Sequence, residues 1–171
     1  TSSDAAIPAR RITKRKENIK NHHPKKTILL AAVTPLLLTI GALADHTVNV
    51  AEGSRVALQG YDPVAFFTEG KPVEGNSEIT AEYHGAVYSF ASEANRDAFQ
   101  GDPQAYAPQF GGYCAFGVTK GKLLPVEIDT WQISDGKLYL NLNQDVKETF
   151  NKNLEKNIEK ADDKWVGIDK H

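Results

Sequence analysis

The sequence has few residues that could cross-link the chain or hold a metal ion. It contains one cysteine, Cys114, no methionine and five histidines. A single cysteine excludes a disulfide bond within the chain, so the fold must be held together by its hydrophobic core. Four of the histidines lie in the amino-terminal segment or at the chain end: His22, His23, His46 and His171. His84 is therefore the histidine best placed to act with Cys114, as a metal ligand or as a base.

The sequence also lacks the local motifs of common catalytic sites. No glycine-rich phosphate loop, paired-histidine helix motif or nucleophile elbow occurs in it. A cysteine hydrolase needs a base and a second group that orients the base, and only His84 is available as the base. The sequence thus favours a protein that is not an enzyme, without excluding one.

Acidic and basic residues are distributed unevenly along the chain. Residues 1–44 contain eight Lys or Arg and two acidic residues, whereas residues 45–171 contain twelve and twenty. A body this acidic repels the phosphates of nucleic acids, so a nucleic-acid partner is not expected. A protein partner for the acidic surface is left open.

The amino-terminal segment has the order of parts found in a secretory signal peptide. A basic stretch, Arg10–Lys26, precedes an apolar run of 17 residues, Ile28–Ala44, which ends in small residues. We therefore predict a signal peptide over residues 1–44, a mature domain over residues 45–171, and a periplasmic or secreted location. The run is near the lower limit for spanning ~30 Å of hydrocarbon, so a retained amino-terminal anchor is the alternative.

Two β-hairpins are predicted from turn residues that lie between strand-forming segments. The first surrounds His84–Gly85 within Ile79–Phe90. The second joins Thr130–Ile133 to Lys137–Leu142 through Asp135–Gly136. Bulky side chains suit the pleated surface of a strand, and Asp-Gly is typical of a two-residue hairpin turn.

Helices are predicted after residues that cap helix amino termini. Ser92 precedes a helix over Glu93–Gln100, and Asp102 precedes Pro103 at the start of a shorter helix. A longer helix over Gln144–Glu159 carries an apolar stripe. With the two hairpins, these segments predict a small single α+β domain with short helices and a C-terminal helix. No internal repeat is apparent in the sequence.

Five short motifs follow one another along the mature domain: Gly60-Tyr61-Asp62-Pro63-Val64-Ala65-Phe66-Phe67, Tyr83-His84-Gly85, Phe90-Ala91-Ser92, Asp102-Pro103 and Gly111-Gly112-Tyr113-Cys114-Ala115. In this order they resemble the YHS domain family, over about residues 59–167. The last motif is similar to the longer, exported branch of that family, in which some members carry selenocysteine at the position matching Cys114. A selenol suits redox or soft-metal chemistry, so the resemblance implies that Cys114 is a functional group.

The resemblance also bears on metal binding. Short members associated with heavy metals, found beside copper-transporting pumps, have cysteines at the positions that hold Ala65, Ala91 and Asn95 here. A soft-metal site needs several thiolates or imidazoles around one ion. A site in this chain would therefore have to be built from Cys114, His84 and oxygen ligands. Copper is the cofactor that the resemblance leaves open.

Two functions remain open at this point. In the first, Cys114 performs thiol redox chemistry or contributes to the handling of a soft metal, especially copper, outside the cytoplasm. In the second, the protein is a non-enzymatic structural or protein-binding module with an inert cysteine, because free cysteine is among the most buried residue types. Four further residues are candidates to line a cleft around Cys114: Tyr61, Asp62, Tyr113 and Asp129. Asp62 is expected to hydrogen-bond a turn.

Overall fold

The computed structural model describes residues 47–169. The predicted boundary after residue 44 lies outside the described residues, as do four of the histidines: His22, His23, His46 and His171. Within residues 47–169, no helix combines the length and the apolar character needed to cross a membrane. The signal peptide, the alternative anchor and export therefore stay predictions.

Six helices and four strands are present among residues 47–169. The helices are α1 (Ala65–Thr68), α2 (Glu93–Gly101), α3 (Pro103–Tyr106), α4 (Ala115–Val118), α5 (Gln144–Asn151) and α6 (Leu154–Ile168). The strands are β1 (Asn76–Tyr83), β2 (Ala86–Phe90), β3 (Glu127–Ser134) and β4 (Lys137–Asn141). Two 3₁₀ segments are named here the first tight turn, Leu58–Gly60, and the second tight turn, Gln109–Gly112. The predicted α+β class is confirmed.

The four strands pair as two separate antiparallel hairpins, β1 with β2 and β3 with β4. In each hairpin the two residues of the turn have left-handed backbone geometry. Their φ angles are 50° and 76° at His84 and Gly85, and 48° and 71° at Asp135 and Gly136. Two consecutive left-handed residues are the requirement of a type I′ turn, whose twist matches that of the strands. Both predicted hairpins are confirmed.

Polar side chains cap the helix that follows each hairpin. Ser92 Oγ accepts the backbone N–H of Asn95 at 3.2 Å, at the start of α2. Asn143 Oδ1 accepts the backbone N–H of Val146 at 3.0 Å, at the start of α5. These bonds satisfy N–H groups that lack partners within the helix. The predicted cap at Ser92 is confirmed.

The predicted single helix over Gln144–Glu159 is wrong at its centre. The chain leaves helical geometry at Asn153, with φ −144° and ψ 58°, so that α5 and α6 are separate helices. Trp165 of α6 packs against Phe110, with ring centroids 5.8 Å apart. The apolar stripe continues across the break, and for that reason the sequence pattern suggested one helix.

The expectation of no internal repeat is also wrong, because one order of elements occurs twice. Residues 58–101, the first copy, and residues 109–151, the second copy, each contain a tight turn, a short helix, a hairpin and a capped helix. In each tight turn three successive residues are left-handed: Leu58, Gln59 and Gly60 with φ of 51°, 54° and 85°, and Phe110, Gly111 and Gly112 with φ of 55°, 59° and 81°. Runs of this kind are rare, since left-handed geometry costs ~1–2 kcal/mol at a non-glycine residue.

Individual residues also correspond between the two copies. A tyrosine follows each tight turn, and the N–H groups of Tyr61 and Tyr113 donate to the carbonyls of Leu58 and Phe110, both at 3.0 Å. Four further pairs are each separated by 51 residues: Gly85 and Gly136, Tyr88 and Tyr139, Ser92 and Asn143, Phe99 and Phe150. The same positions thus make the turn, the cap and the buried aromatic face in both copies.

Three clusters of buried apolar side chains form the core. The first cluster packs around the first hairpin: Ala57, Val64, Ala81, Ala86, Tyr88, Phe90 and Phe99. The third cluster packs between the second copy and α6: Phe110, Ala115, Val118, Tyr139, Phe150 and Ala161. The second cluster draws on both copies: Leu58, Phe66, Cys114, Val126, Ile128, Leu138 and Leu140. Cys114 therefore lies in the part of the core that joins the two copies.

Candidate thiol site

Cys114 is completely buried, with 0% of its surface exposed. It lies between the second tight turn and α4. Its N–H donates to the carbonyl of Leu124 at 3.0 Å, its carbonyl accepts the N–H of Val118 at 3.0 Å, and its backbone forms a parallel bridge with Leu140 of β4. The backbone is therefore fixed on both sides, and the side chain points into the second cluster.

The Cys114 sulfur has two polar neighbours. The backbone N–H of Gly117 donates to Sγ at 3.4 Å, and Sγ lies 3.7 Å from Oδ1 of Asn141, to which the thiol donates. The N–H of Phe116 donates to the same Oδ1 at 3.2 Å, which identifies this atom as the amide oxygen. The sulfur thus has one acceptor and one donor as neighbours.

Asn141 is buried completely, yet half of its side-chain amide is unsatisfied. Its backbone is held by Thr130. The Asn141 N–H donates to the Thr130 hydroxyl at 2.8 Å, and that hydroxyl donates to the Asn141 carbonyl at 2.7 Å. The side-chain nitrogen Nδ2, by contrast, has no hydrogen-bond partner among the described residues. A buried donor without a partner costs ~1–3 kcal/mol. The amide that faces the only thiol therefore carries unused N–H groups.

Asp62 occupies the position in the first copy that Cys114 occupies in the second. Each directly follows the tyrosine after a tight turn and precedes the short helix. The Asp62 N–H donates to the carbonyl of Val73 at 2.9 Å, as that of Cys114 donates to Leu124. Both side chains are 0% exposed. The two copies thus hold a carboxylate and a thiol in equivalent places.

The Asp62 carboxylate is saturated with hydrogen bonds. Oδ1 accepts the N–H groups of Val64 at 2.8 Å and Ala65 at 3.3 Å. Oδ2 accepts the N–H of Ala91 at 2.8 Å and Nδ2 of Asn95 at 2.6 Å. Such donors compensate a buried carboxylate for its lost hydration. The prediction that Asp62 hydrogen-bonds a turn is confirmed, and the carboxylate also ties that turn to the start of α2.

The three positions at which the short metal-associated members have cysteines all converge on Asp62. Ala65 and Ala91 each donate a backbone N–H to the carboxylate, and Asn95 donates its side-chain amide. Hydrogen-bond donors thus surround Asp62, where a soft metal would require thiolates.

His84 and Cys114 are in different parts of the domain. His84 lies in the β1–β2 turn, and its ring meets Tyr83 edge-on with centroids 3.8 Å apart; Tyr83 packs on the first cluster, whereas Cys114 lies in the second. Within residues 47–169, no group of three or more His, Cys, Asp or Glu side chains is arranged to hold a metal ion. The metal role of Cys114 and His84 stays a prediction, without a shared site to support it.

Zinc retention tests the same point. We expect the purified protein to lose zinc on dialysis against a chelator, because one thiolate and one distant imidazole leave a tetrahedral ion short of ligands. Elemental analysis of the dialysed protein measures this directly. One zinc ion per chain after dialysis would contradict the prediction.

Of the other candidates, Tyr61 packs against the second cluster, to which Cys114 belongs. Asp62 is bonded within its own copy. The hydroxyl of Tyr113 donates to the carbonyl of Val48 at 3.3 Å, and burial raises the pKa of Tyr113. Asp129 is exposed on β3. The four residues therefore do not all lie around the thiol.

A different cleft, which the sequence did not indicate, lies between the two tight turns and has a volume of about 500 Å³. Its lining is mostly apolar: Asn49, Val50, Ala51, Ser54, Val56, Leu58, Gln59, Gly112, Pro125 and Val126. Gln59 Nε2 donates to the carbonyl of Val126 at 2.9 Å. Leu58 and Val126 also belong to the second cluster, so the cleft and Cys114 share part of the same core. The left-handed geometry of Leu58 and Gln59 marks one wall of the cleft, but this geometry is visible only in the structure and not in the sequence.

One known protein family matches part of this chain. The family model of the YHS domain matches residues 64–110, which is somewhat more than a quarter of the chain. The matched range begins immediately before α1 and ends in the second tight turn, so it covers most of the first copy and the connection to the second, and includes His84 but not Cys114. No curated protein and no solved structure matches the chain.

Proposed function

We propose that this YHS-domain protein acts outside the cytoplasm through thiol redox chemistry at Cys114. The observation that carries the proposal is the buried amide of Asn141. Its oxygen lies 3.7 Å from the only thiol of the chain, and the N–H of Gly117 donates to the sulfur at 3.4 Å. A cysteine that serves only as a small apolar core residue needs no polar partners. Two polar partners at a completely buried sulfur therefore support a chemical role for Cys114.

Redox chemistry is better supported than metal handling. Cu(I) takes soft ligands such as Cys and Met, and the sequence contains one cysteine and no methionine. A copper site at Cys114 would need a ligand from another molecule and a path to a completely buried sulfur. Thiol oxidation needs no further ligand; it needs only that a small oxidant reach the sulfur through a local opening.

Reagent size provides the test. Native protein is treated in parallel with hydrogen peroxide and with iodoacetamide, and the mass of the Cys114 peptide is followed with time. We expect peroxide to react faster than both iodoacetamide and global unfolding, because small local openings suffice for a small reagent. Peroxide oxidation no faster than unfolding would contradict the proposal.

The second candidate is a non-enzymatic binding module with an inert cysteine. Two observations favour it: the complete burial of Cys114, and a cleft of about 500 Å³ that lies within the usual range of ligand pockets, ~300–1,000 Å³. In that case all reagents reach the thiol only through global unfolding. The peroxide experiment therefore separates the two candidates.

Substitution of the thiol adds an independent measurement. Cys114→Ser should abolish the peroxide-dependent mass increase while lowering stability by about 1 kcal/mol or less, because the hydroxyl meets the same acceptor on Asn141 and the same donor on Gly117. Denaturant midpoints give the stability change. A loss above about 2 kcal/mol, with a native thiol that reacts only on unfolding, would favour the inert cysteine.

Export is proposed from the order of the amino-terminal segment. When the precursor is expressed with its secretory pathway intact, we expect cleavage between Ala44 and Asp45, since small residues precede that bond. Amino-terminal sequencing of the exported protein measures this. A mature protein that keeps Ile28–Ala44 and is extracted only by detergent would instead indicate the anchor.

A further inference from the structure

The cleft between the two tight turns differs from the rest of the chain in the charge of its lining. Among its ten described lining residues none is Asp, Glu, Lys, Arg or His, whereas charged residues make up 25% of the chain. We propose that this cleft binds a neutral small molecule with a mainly apolar body and a hydroxyl group, such as an alcohol or a phenol. This inference does not depend on the thiol chemistry proposed for Cys114.

The size and the walls of the cleft favour an apolar body. A volume of about 500 Å³ gives room for roughly 15 water molecules at ~30 Å³ each. Water finds few hydrogen-bond partners here, because six of the lining residues carry apolar side chains: Val50, Ala51, Val56, Leu58, Pro125 and Val126. Displacement of poorly ordered water by an apolar group favours binding. Val56 also keeps 40% of its surface exposed, and a bound apolar body would remove part of that surface from water.

The uncharged lining favours a neutral ligand. An ionised group in the cleft would lose hydration without meeting an opposite charge among the described lining residues. Residues 45–171 carry more acidic than basic side chains, so the domain as a whole attracts cations, but the cleft offers a cation no carboxylate partner. A neutral molecule loses the least hydration on entry.

Two side-chain amides in the lining account for the hydroxyl group. Asn49 Nδ2 donates to the carbonyl of Gly112 at 3.0 Å, and Gln59 Nε2 donates to the carbonyl of Val126 at 2.9 Å. These bonds distinguish the nitrogen from the oxygen in each amide. Among residues 47–169, no donor bonds to either amide oxygen, and each amide keeps a second N–H. A hydroxyl group both donates and accepts, so it matches both groups of such an amide.

Hydrogen bonds between its walls fix the shape of the cleft. The backbone N–H of Asn49 donates to the Gly111 carbonyl at 2.8 Å, and that of Val56 donates to Ser54 Oγ at 3.0 Å. With the two amide bonds, these contacts tie the first residues of the domain to the second tight turn, and the first tight turn to the segment before β3. A site with fixed walls loses little conformational entropy when a ligand binds.

Four probes that share a naphthalene ring, substituted at the same carbon, test the proposed ligand chemistry. Naphthol is neutral and has a hydroxyl, methoxynaphthalene is neutral without a donor, and naphthalenesulfonate and naphthylmethylammonium are charged. Equilibrium dialysis against the purified protein measures their affinities. We expect methoxynaphthalene to bind about three- to tenfold more weakly than naphthol, and both ions to bind at least about tenfold more weakly. Equal binding of methoxynaphthalene, or of either ion, would overturn the proposed ligand class, and no binding of naphthol would overturn the site.

Substitution of two exposed valines locates the binding. Val56→Trp places an indole ring in the cleft, and Val166→Trp places the same ring on α6, away from the lining residues. Both valines are exposed, at 40% and 58%, so both variants should fold, as denaturant unfolding would verify. We expect Val56→Trp to weaken naphthol binding about tenfold or more by steric exclusion, and Val166→Trp to leave it unchanged. Equal affinities of the parent and Val56→Trp would place naphthol elsewhere and overturn the proposal.

Discussion

Gly111→Ala is expected to destabilise the domain by about 3 kcal/mol or more, one of the two largest effects predicted here. Gly111 is left-handed, with φ of 59°, and an added Cβ would lie 2.0 Å from the carbonyl oxygen of Thr47. Because the atoms in the way belong to the backbone of Thr47 and Val48, that segment has to move. That movement breaks the bond from the N–H of Asn49 to the Gly111 carbonyl, now 2.8 Å long. Denaturant midpoints measure the loss.

Gly121→Ala is the matched control for this substitution. Gly121 is also left-handed, with φ of 70°, but an added Cβ there meets nothing within 4 Å. Only the backbone cost applies, ~1–2 kcal/mol. Similar losses at the two glycines would mean that the contact with Thr47 adds nothing, contrary to the prediction.

Asp62→Ala is expected to cost about 3–5 kcal/mol, the magnitude found when one partner of a buried charged network is removed. The substitution leaves the N–H groups of Val64, Ala65 and Ala91 without their acceptor, and Val64 and Ala65 are buried. It also releases the side chain of Asn95. The turn before α1 then loses its connection to α2, and urea unfolding should show a lower midpoint.

Two control substitutions show whether the loss of stability comes from the buried Asp62 network. Asp102→Ala removes an exposed helix cap with a single bond to the N–H of Ala105 at 3.2 Å, so the expected loss is only ~1 kcal/mol. Asp62→Asn keeps the size of the side chain but turns one acceptor oxygen into a donor, and should fall between the two. If Asp62→Ala and Asp102→Ala cost the same, the Asp62 network does not stabilise the first copy as proposed.

Local chemistry explains why the hairpins and caps could be predicted. Asp135-Gly136 needs only its own backbone preferences to form a type I′ turn, and Ser92 needs only the N–H three residues ahead to cap a helix. Neighbours in sequence decide both features. The break between α5 and α6 was missed because both helices continue one apolar stripe, so the pattern that predicts a helix does not reveal its interruption.

The repeat was missed for a related reason. The two copies share few identical residues, and what they share most closely is backbone geometry: three left-handed residues in a row, followed by a tyrosine whose N–H closes the turn. In one copy that run contains a single glycine, Gly60, and in the other it contains Gly111 and Gly112. A left-handed leucine or glutamine has no recognisable signature in a sequence.

The sequence by itself determined the α+β class, both hairpins, the capped helices, the single thiol and the likeness to the YHS domain, because each depends on neighbouring residues or on residue identity. Only the tertiary structure decided that Cys114 is buried, that His84 lies elsewhere, and that the amide oxygen of Asn141 faces the thiol. Asn141 comes 27 residues after Cys114. Contacts across such distances are set by how the tight turn, the short helix and the hairpin of the second copy pack together, and no local pattern encodes that packing.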